Sequence, residues 1–263
     1  MPLHVVLGGQ QYREGVDVTT AELAAALRNF TAVSTSRPSP QTFLDVYEAA
    51  AVSGADAVVS VHISSDMSGT VASAAFAASK SPIPVEVVDS RSVGMAMGYA
   101  VLSAAEAAQQ GQDAKTVAAI ASARAQATTV IFYVDTLEYL RRGGRIGAAS
   151  ALLGSVLAFK PLLLLSDGHV NPIGKVRTSA RALIRLEELA LQAFDAAGES
   201  GADIAVHHLD SRTRASDLVN RLRKRVSSTT TVILVELGAV VGAHVGPGTI
   251  AVAVSPRPDG GKA

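Results

Sequence analysis

The residues of this chain that could do chemistry gather in four short segments. Ser64-Ser65-Asp66-Met67-Ser68-Gly69-Thr70 stands between an apolar run ending at Ile63 and an Ala-rich run, so its hydroxyls and free N–H groups meet at the positive end of a predicted helix. Such a corner suits an anion. Read from the residues alone, Ser68 is either a donor to that anion or an ordinary N-cap, because serine is favoured at helix starts. In Thr35-Ser36-Arg37-Pro38-Ser39-Pro40 the prolines fix φ, and Pro40 fits the first turn of the next helix. The segment is then either a stiff loop with a cap or a stiff mount that presents the Thr35 hydroxyl. Gly143-Gly144-Arg145 follows a helix end rich in Arg141 and Arg142, where glycine makes a left-handed stop and basic residues complement the dipole. Arginine also offers a permanently charged fork to phosphate or carboxylate. His244, within Gly242-Ala243-His244-Val245-Gly246-Pro247-Gly248, could donate to either anion, act as a general acid or base, or serve only the fold.

Several chemistries are excluded. Without cysteine there is no thiolate nucleophile and no Cys-ligated metal. His207 and His208 are adjacent, so on a strand they face opposite sides and cannot share one metal. The signatures of zinc proteases, EF-hands, serine hydrolases, P-loops and dinucleotide-binding folds do not occur. Lys plus Arg and Asp plus Glu stand at 23 each, and tryptophan is absent, which argues against nucleic acid or an anionic membrane as partner. The first 15 residues lack a signal-peptide pattern and no run approaches a membrane span, so a cytoplasmic protein is expected.

These segments sit on an alternation of short apolar strands and amphipathic helices. Strands are predicted at 3–7, 57–63 and 85–89, with helices at 17–29, 40–52, 69–79, 94–110 and 113–126, a pattern that argues for a parallel sheet covered by helices. Beyond residue 126 the texture changes to strand 129–134, helix 136–142, a helix near 148–157 and a hairpin over 161–175 turning at Asp167-Gly168. Helix 179–197, strand 203–208, helix 212–226 and strands 230–237 and 249–255 follow, and residues 256–263 read as a disordered tail. The chain therefore reads as two domains, 1–126 parallel α/β and 127–263 α+β, with its boundary near Gln126.

In order and spacing, the four segments together with the run from Phe132 to Arg177 resemble the DegV family of fatty-acid-binding proteins, and Asp89-Ser90-Arg91-Ser92 matches a further motif of that family, read as a loop clamp or cavity wall. The resemblance implies a two-domain α/β fold with a lipid cavity between the domains. It implies one bound long-chain fatty acid and no cofactor, each buried methylene contributing ~0.8 kcal/mol while a few donors orient the head. It assigns the carboxylate to Thr35 and Ser68, with Ser36, Gly69 and Thr70 beside them, and gives Arg145, Arg177 and His244 to presentation of the head group. It further implies a partner, a fatty-acid kinase catalytic subunit that would form the acyl phosphate, so the chain by itself would be no enzyme. The alternative is a stand-alone enzyme on a small phosphorylated or carboxylated substrate, with His244 as acid or base. Relatives ordinarily open with a strand ending in Asp-Ser-Thr, and this chain begins where their second strand would be, so an opening strand-helix unit is expected to be missing.

Overall fold

The computed structural model describes residues 3–152 and 159–258. They form two compact units, and the division is not the single cut near Gln126 that the change of texture suggests. One unit comprises residues 37–128; the other combines 2–36 with 129–263. The physical reason is local to the first 36 residues. After β1 (His4–Leu7), Gly8 and Gly9 both take positive φ, 56° and 89°, the conformation a two-residue hairpin turn demands. The chain therefore folds straight back as β2 (Gln10–Arg13), and β3 (Val33–Ser36) pairs antiparallel with the other edge of β1. The opening strand is thus not part of a parallel sheet, although the chain as a whole keeps the mixed α/β class.

Between β2 and β3 runs α1 (Thr20–Arg28). Its start is a capping box, with the Thr19 hydroxyl accepting from the Glu22 N–H and the Glu22 carboxylate accepting from the Thr19 N–H. Leu23 and Leu27 face inward and pack with Val5 and Val240. In the unit of residues 37–128, α2 (Pro40–Val52) begins with Ser39 as cap and Pro40 at the first turn, as expected. The strands β4 (Val58–His62) and β5 (Val85–Asp89) pair in parallel, with α3 (Thr70–Ala78) crossing between them. Phe43 and Tyr47 of α2 pack against Ala74 and Ala77 of α3. On α4 (Met95–Gln109) and α5 (Ala114–Ala127) the contact residues are chiefly alanines, such as Ala100, Ala104 and Ala121, so the helices approach closely behind Val88. Asp113 caps α5 through the N–H groups of Lys115 and Thr116.

The larger unit is built on a six-stranded sheet. Its strands are β6 (Thr129–Tyr133), β7 (Lys160–Ser166), β8 (His169–Val176), β9 (Ala202–His208), β10 (Val232–Glu236) and β11 (Ile250–Pro256). They stand in the order β10-β9-β11-β6-β7-β8, parallel only between β10 and β9. The β7–β8 hairpin turns at Asp167 and Gly168, both at positive φ, where the sequence placed it. The helices α7 (Ser179–Ala196) and α8 (Arg212–Arg223) lay Leu186, Ala190, Leu218 and Leu222 on Ile204, Val206, Ile250 and Val252, all fully buried. Burying each of the Leu, Ile and Val side chains contributes about 1.5 to 3 kcal/mol. After the short α6 (Glu138–Arg142), the helix expected near 148–157 is a 3-10 turn at Gly147–Leu152, and the rest of that expectation lies outside the described residues. Of the residues 256–263 read as a disordered tail, Pro256 closes β11 and the Arg257 guanidinium donates to Asp203 at 2.7 and 3.1 Å, while the expectation for 259–263 lies outside the described residues. A last helix, α9 (Ala239–Val245), falls where the sequence pattern indicated no helix.

Candidate functional site

Thr35 lies on β3, not in a loop. Strand alternation turns it with Val33 toward the interior and turns Ser34 and Ser36 to solvent, so Ser36 is exposed while Thr35 is half-buried. The β1 residue opposite Thr35 is Val5, which is fully buried. The Thr35 Oγ1 lies 2.9 Å from Nε2 of His244, 209 residues further along the chain. His244 stands in the last turn of α9, and its ring is wedged against Gly143, where a Cβ would collide with Nδ1. Nδ1 itself is buried and has no hydrogen-bond partner among the described residues. Burial, reinforced by the nearby positive charge of Arg145, pushes the imidazole down to about 4, so it is neutral at pH 7.

The Gly-Gly-Arg corner and the Gly-Pro-Gly corner close this group from two sides. Gly246 has φ of 78°, and any side chain there would enter the Tyr139 ring of α6. Arg145 is exposed and folds its guanidinium back onto the Gly143 carbonyl. Arg177 follows the end of β8, exposed and without a hydrogen-bond or ion-pair partner among the described residues. The contacts that unite Thr35, His244, Gly143 and Arg145 do not include it.

In the smaller unit, Ser68, Gly69 and Thr70 form the corner between β4 and α3. Gly69, not Ser68, occupies the N-cap position, and no side chain caps the helix. The alternative reading of Ser68 as an N-cap is therefore removed: its Oγ bonds the Thr70 hydroxyl at 2.7 Å and it remains half-buried. Asp89 stabilises the corner by accepting from the Ser65 N–H at 3.2 Å and from the Arg91 N–H at 2.8 Å, the clamp anticipated for that motif. The Arg37 guanidinium lies so close to Gly69 that a Cβ would strike it, which sets a positive charge beside the uncapped amides of α3. Nothing in the sequence pattern gives Arg37 a role of its own. A second feature also went unread, a polar chain from the Tyr47 hydroxyl through Ser60 Oγ (2.9 Å) to His62 Nε2 (2.7 Å). Its signal was the period-2 spacing of Ser60 and His62 on β4.

This arrangement of motifs has a known counterpart. A family model described as "Uncharacterised protein, DegV family" matches residues 1–257. The chain belongs to the DegV family. A DegV domain-containing protein of Streptomyces coelicolor is 50% identical over 257 residues, covering 98% of this chain and 90% of the relative. Among solved DegV structures, a fatty-acid-binding member from Thermus thermophilus superposes with a TM-score of 0.87 at 36% identity, over 97% of this chain and 91% of the other. The Bacillus subtilis DegV, a fatty-acid-binding protein, does so with a TM-score of 0.87 at 28% identity, over 98% and 91%. The DegV chain described here has no group of three or more His, Cys, Asp or Glu that could hold a metal among its described residues, and none of their helices is long and apolar enough to cross a membrane.

Proposed function

We propose that this DegV protein binds a long-chain fatty acid, with the Thr35 and Ser68 hydroxyls as donors to its carboxylate and no cofactor. The likeness to the fatty-acid-binding Thermus protein at 36% identity over nearly the whole chain carries the reading. Geometry within each unit supports it. The Ser68 hydroxyl is not spent on a helix cap, and Arg37 adds a positive charge at that corner. For the other donor the histidine tautomer decides the direction of the Thr35–His244 bond. A buried N–H without an acceptor is rarer and costlier than an unpaired lone pair, and Arg145 favours a lone pair on the ring, so Nδ1 is bare and Nε2–H donates to Thr35 Oγ1. The Thr35 proton is then available for the carboxylate. For the alternative, a stand-alone enzyme with His244 as acid or base, the unpartnered Nδ1 means that the ring lacks the orienting group such a base needs, which weighs against it.

In the finer reading, a cytoplasmic partner kinase transfers the γ-phosphoryl group of ATP to a carboxylate oxygen, releasing ADP, while Arg145 and Arg177 present the acyl head. His244 acts through its bond to Thr35. Native mass spectrometry with lipid extraction tests the binding. One fatty acid per chain is expected, and Thr35→Ala or Ser68→Ala should each weaken retention by about 1 to 3 kcal/mol, the worth of a hydrogen bond to a charged group. Unchanged retention in both variants would sink the donor assignment. In a reconstituted reaction, Arg177→Ala is expected to slow acyl-phosphate formation while leaving retention intact; equal loss of both would refute its presentation role.

A further inference from the structure

We propose that Glu14 is a positioning residue for the Thr35–His244 pair, its carboxylate supplying from outside the helix the N-terminal cap that α9 lacks. The importance of the pair rests on the fatty-acid reading above; the positioning itself does not.

The helix needs such a partner. With seven residues it is too short to be stable alone, and its N-cap is Gly238, which has no side chain to offer the first-turn amides. The Val240 N–H instead donates to Glu14 Oε1 at 2.7 Å, across 226 residues of sequence. A carboxylate at that end also complements the helix dipole. Gly238 is part of the same fit, since a Cβ there would collide with the Glu14 carboxylate.

Glu14 is itself held firmly. Its own N–H donates to the Leu3 carbonyl at 2.8 Å, and it bridges to Val18, whose side chain is buried in the core beside Leu23. The turn between them is clasped by Arg13 and Asp17, with the Arg13 N–H and Nε both donating to Asp17 Oδ2. The hairpin thus delivers the carboxylate from a fixed point on the same three-stranded sheet that carries Thr35. At the other end of α9, ~10 Å away at 1.5 Å per residue, His244 has little latitude: Thr35 Oγ1 lies on one side and Gly143 on the other. A small tilt of α9 that frees its first turn breaks the Thr35 bond at its last.

The test is 15N-imidazole NMR of His244 in the full chain without added lipid, with Arg145 as the charged group the ring feels. Glu14→Ala and Gly238→Ala should shift the Nε2 resonance toward that of an unbonded ring and raise the titration midpoint toward the ordinary histidine range. Glu14→Gln keeps an acceptor oxygen and should retain the original signal. Thr178→Ala, which removes the cap of α7, serves as the stability control and should leave His244 unchanged. In the first two variants fatty-acid release should quicken at least about twofold, the lower range of a lost cap. The proposal is overturned if His244 is unmoved in both, or if Thr178→Ala moves it as far. Should Glu14→Ala not fold, Gly238→Ala and Glu14→Asp carry the same readout. A His244 response in a protein whose native sequence retains no fatty acid supports the positioning and counts against the lipid reading.

Discussion

Gly143 has no reactive atom, yet it decides where a reactive ring can stand. His244 occupies the space a side chain would need, so Gly143→Ala must displace either the helix stop or the imidazole. The expected result is a loss of about 1 to 3 kcal/mol in a denaturant melt, the usual cost of overpacking. It should come with loss of the Thr35–His244 bond in imidazole NMR; a stable variant with an unaltered His244 signal would contradict it. At this scale the sequence was partly legible. Thr35, Ser68 and His244 stood out because they lie in motifs that resemble those of the DegV family; from the residues alone each stayed open between a ligand role and a cap, a stiff loop or a structural place in the fold. Their partners did not stand out, because 209 residues separate Thr35 from His244 and no local pattern encodes that meeting. Arg37 and Glu14 were passed over for another reason: a single charge in a polar stretch looks like any solvated residue until its neighbour is known.

Elements were legible where local chemistry decides them. Pro40 marked the first turn of α2 and Asp167-Gly168 the β7–β8 turn, and the helices expected from 17 and 113 begin within three residues of those positions, behind the caps Thr19 and Asp113. The failures share one cause, tertiary packing overriding local preference. The β-branched content of Ala239–Val245 argues against a helix, but Ala239, Val240 and Ala243 are buried with Leu23 and Leu237 and the segment coils. The Gly8-Gly9 turn was visible in the residues, and its neglect hid β2. Clamps between elements are likewise open to experiment. Asp89 at the end of β5 ties two loops, so Asp89→Ala should leave β4 and β5 paired while the corner at 64–69 loosens. Hydrogen exchange should report faster exchange at the Ser65 amide and a stability loss of about 1 to 2 kcal/mol. Unchanged exchange there would remove the clamp from the account of Ser68.

For the whole molecule, four histidines set a common response to acid, His208 being pushed below its ordinary value chiefly by burial and three others with it. His62, His207 and His244 are each pushed down to about 4 chiefly by burial, against an ordinary value near 6.5. Between those values the unfolded chain binds protons that the folded chain refuses, so stability is full above about pH 6.5 and falls as pH drops toward about 4. Urea midpoints should therefore decline from pH 7 to pH 4.5, and a flat profile would show that the rings are not held neutral. Domain boundaries were the least legible feature at this scale, because texture changes at 126 while connectivity changes at both 36 and 128. That connectivity also sets a schedule for synthesis. Residues 37–128 leave the ribosome as a complete unit, whereas the opening hairpin, made first, must wait until Val240 is translated before Val5 and Leu23 gain their full set of core neighbours. The earliest-made strands are among the last to be buried, and a nascent chain stalled near residue 200 would carry a finished unit of 37–128 behind a β1 and α1 whose apolar side chains still lack partners, the state in which a chaperone would find it.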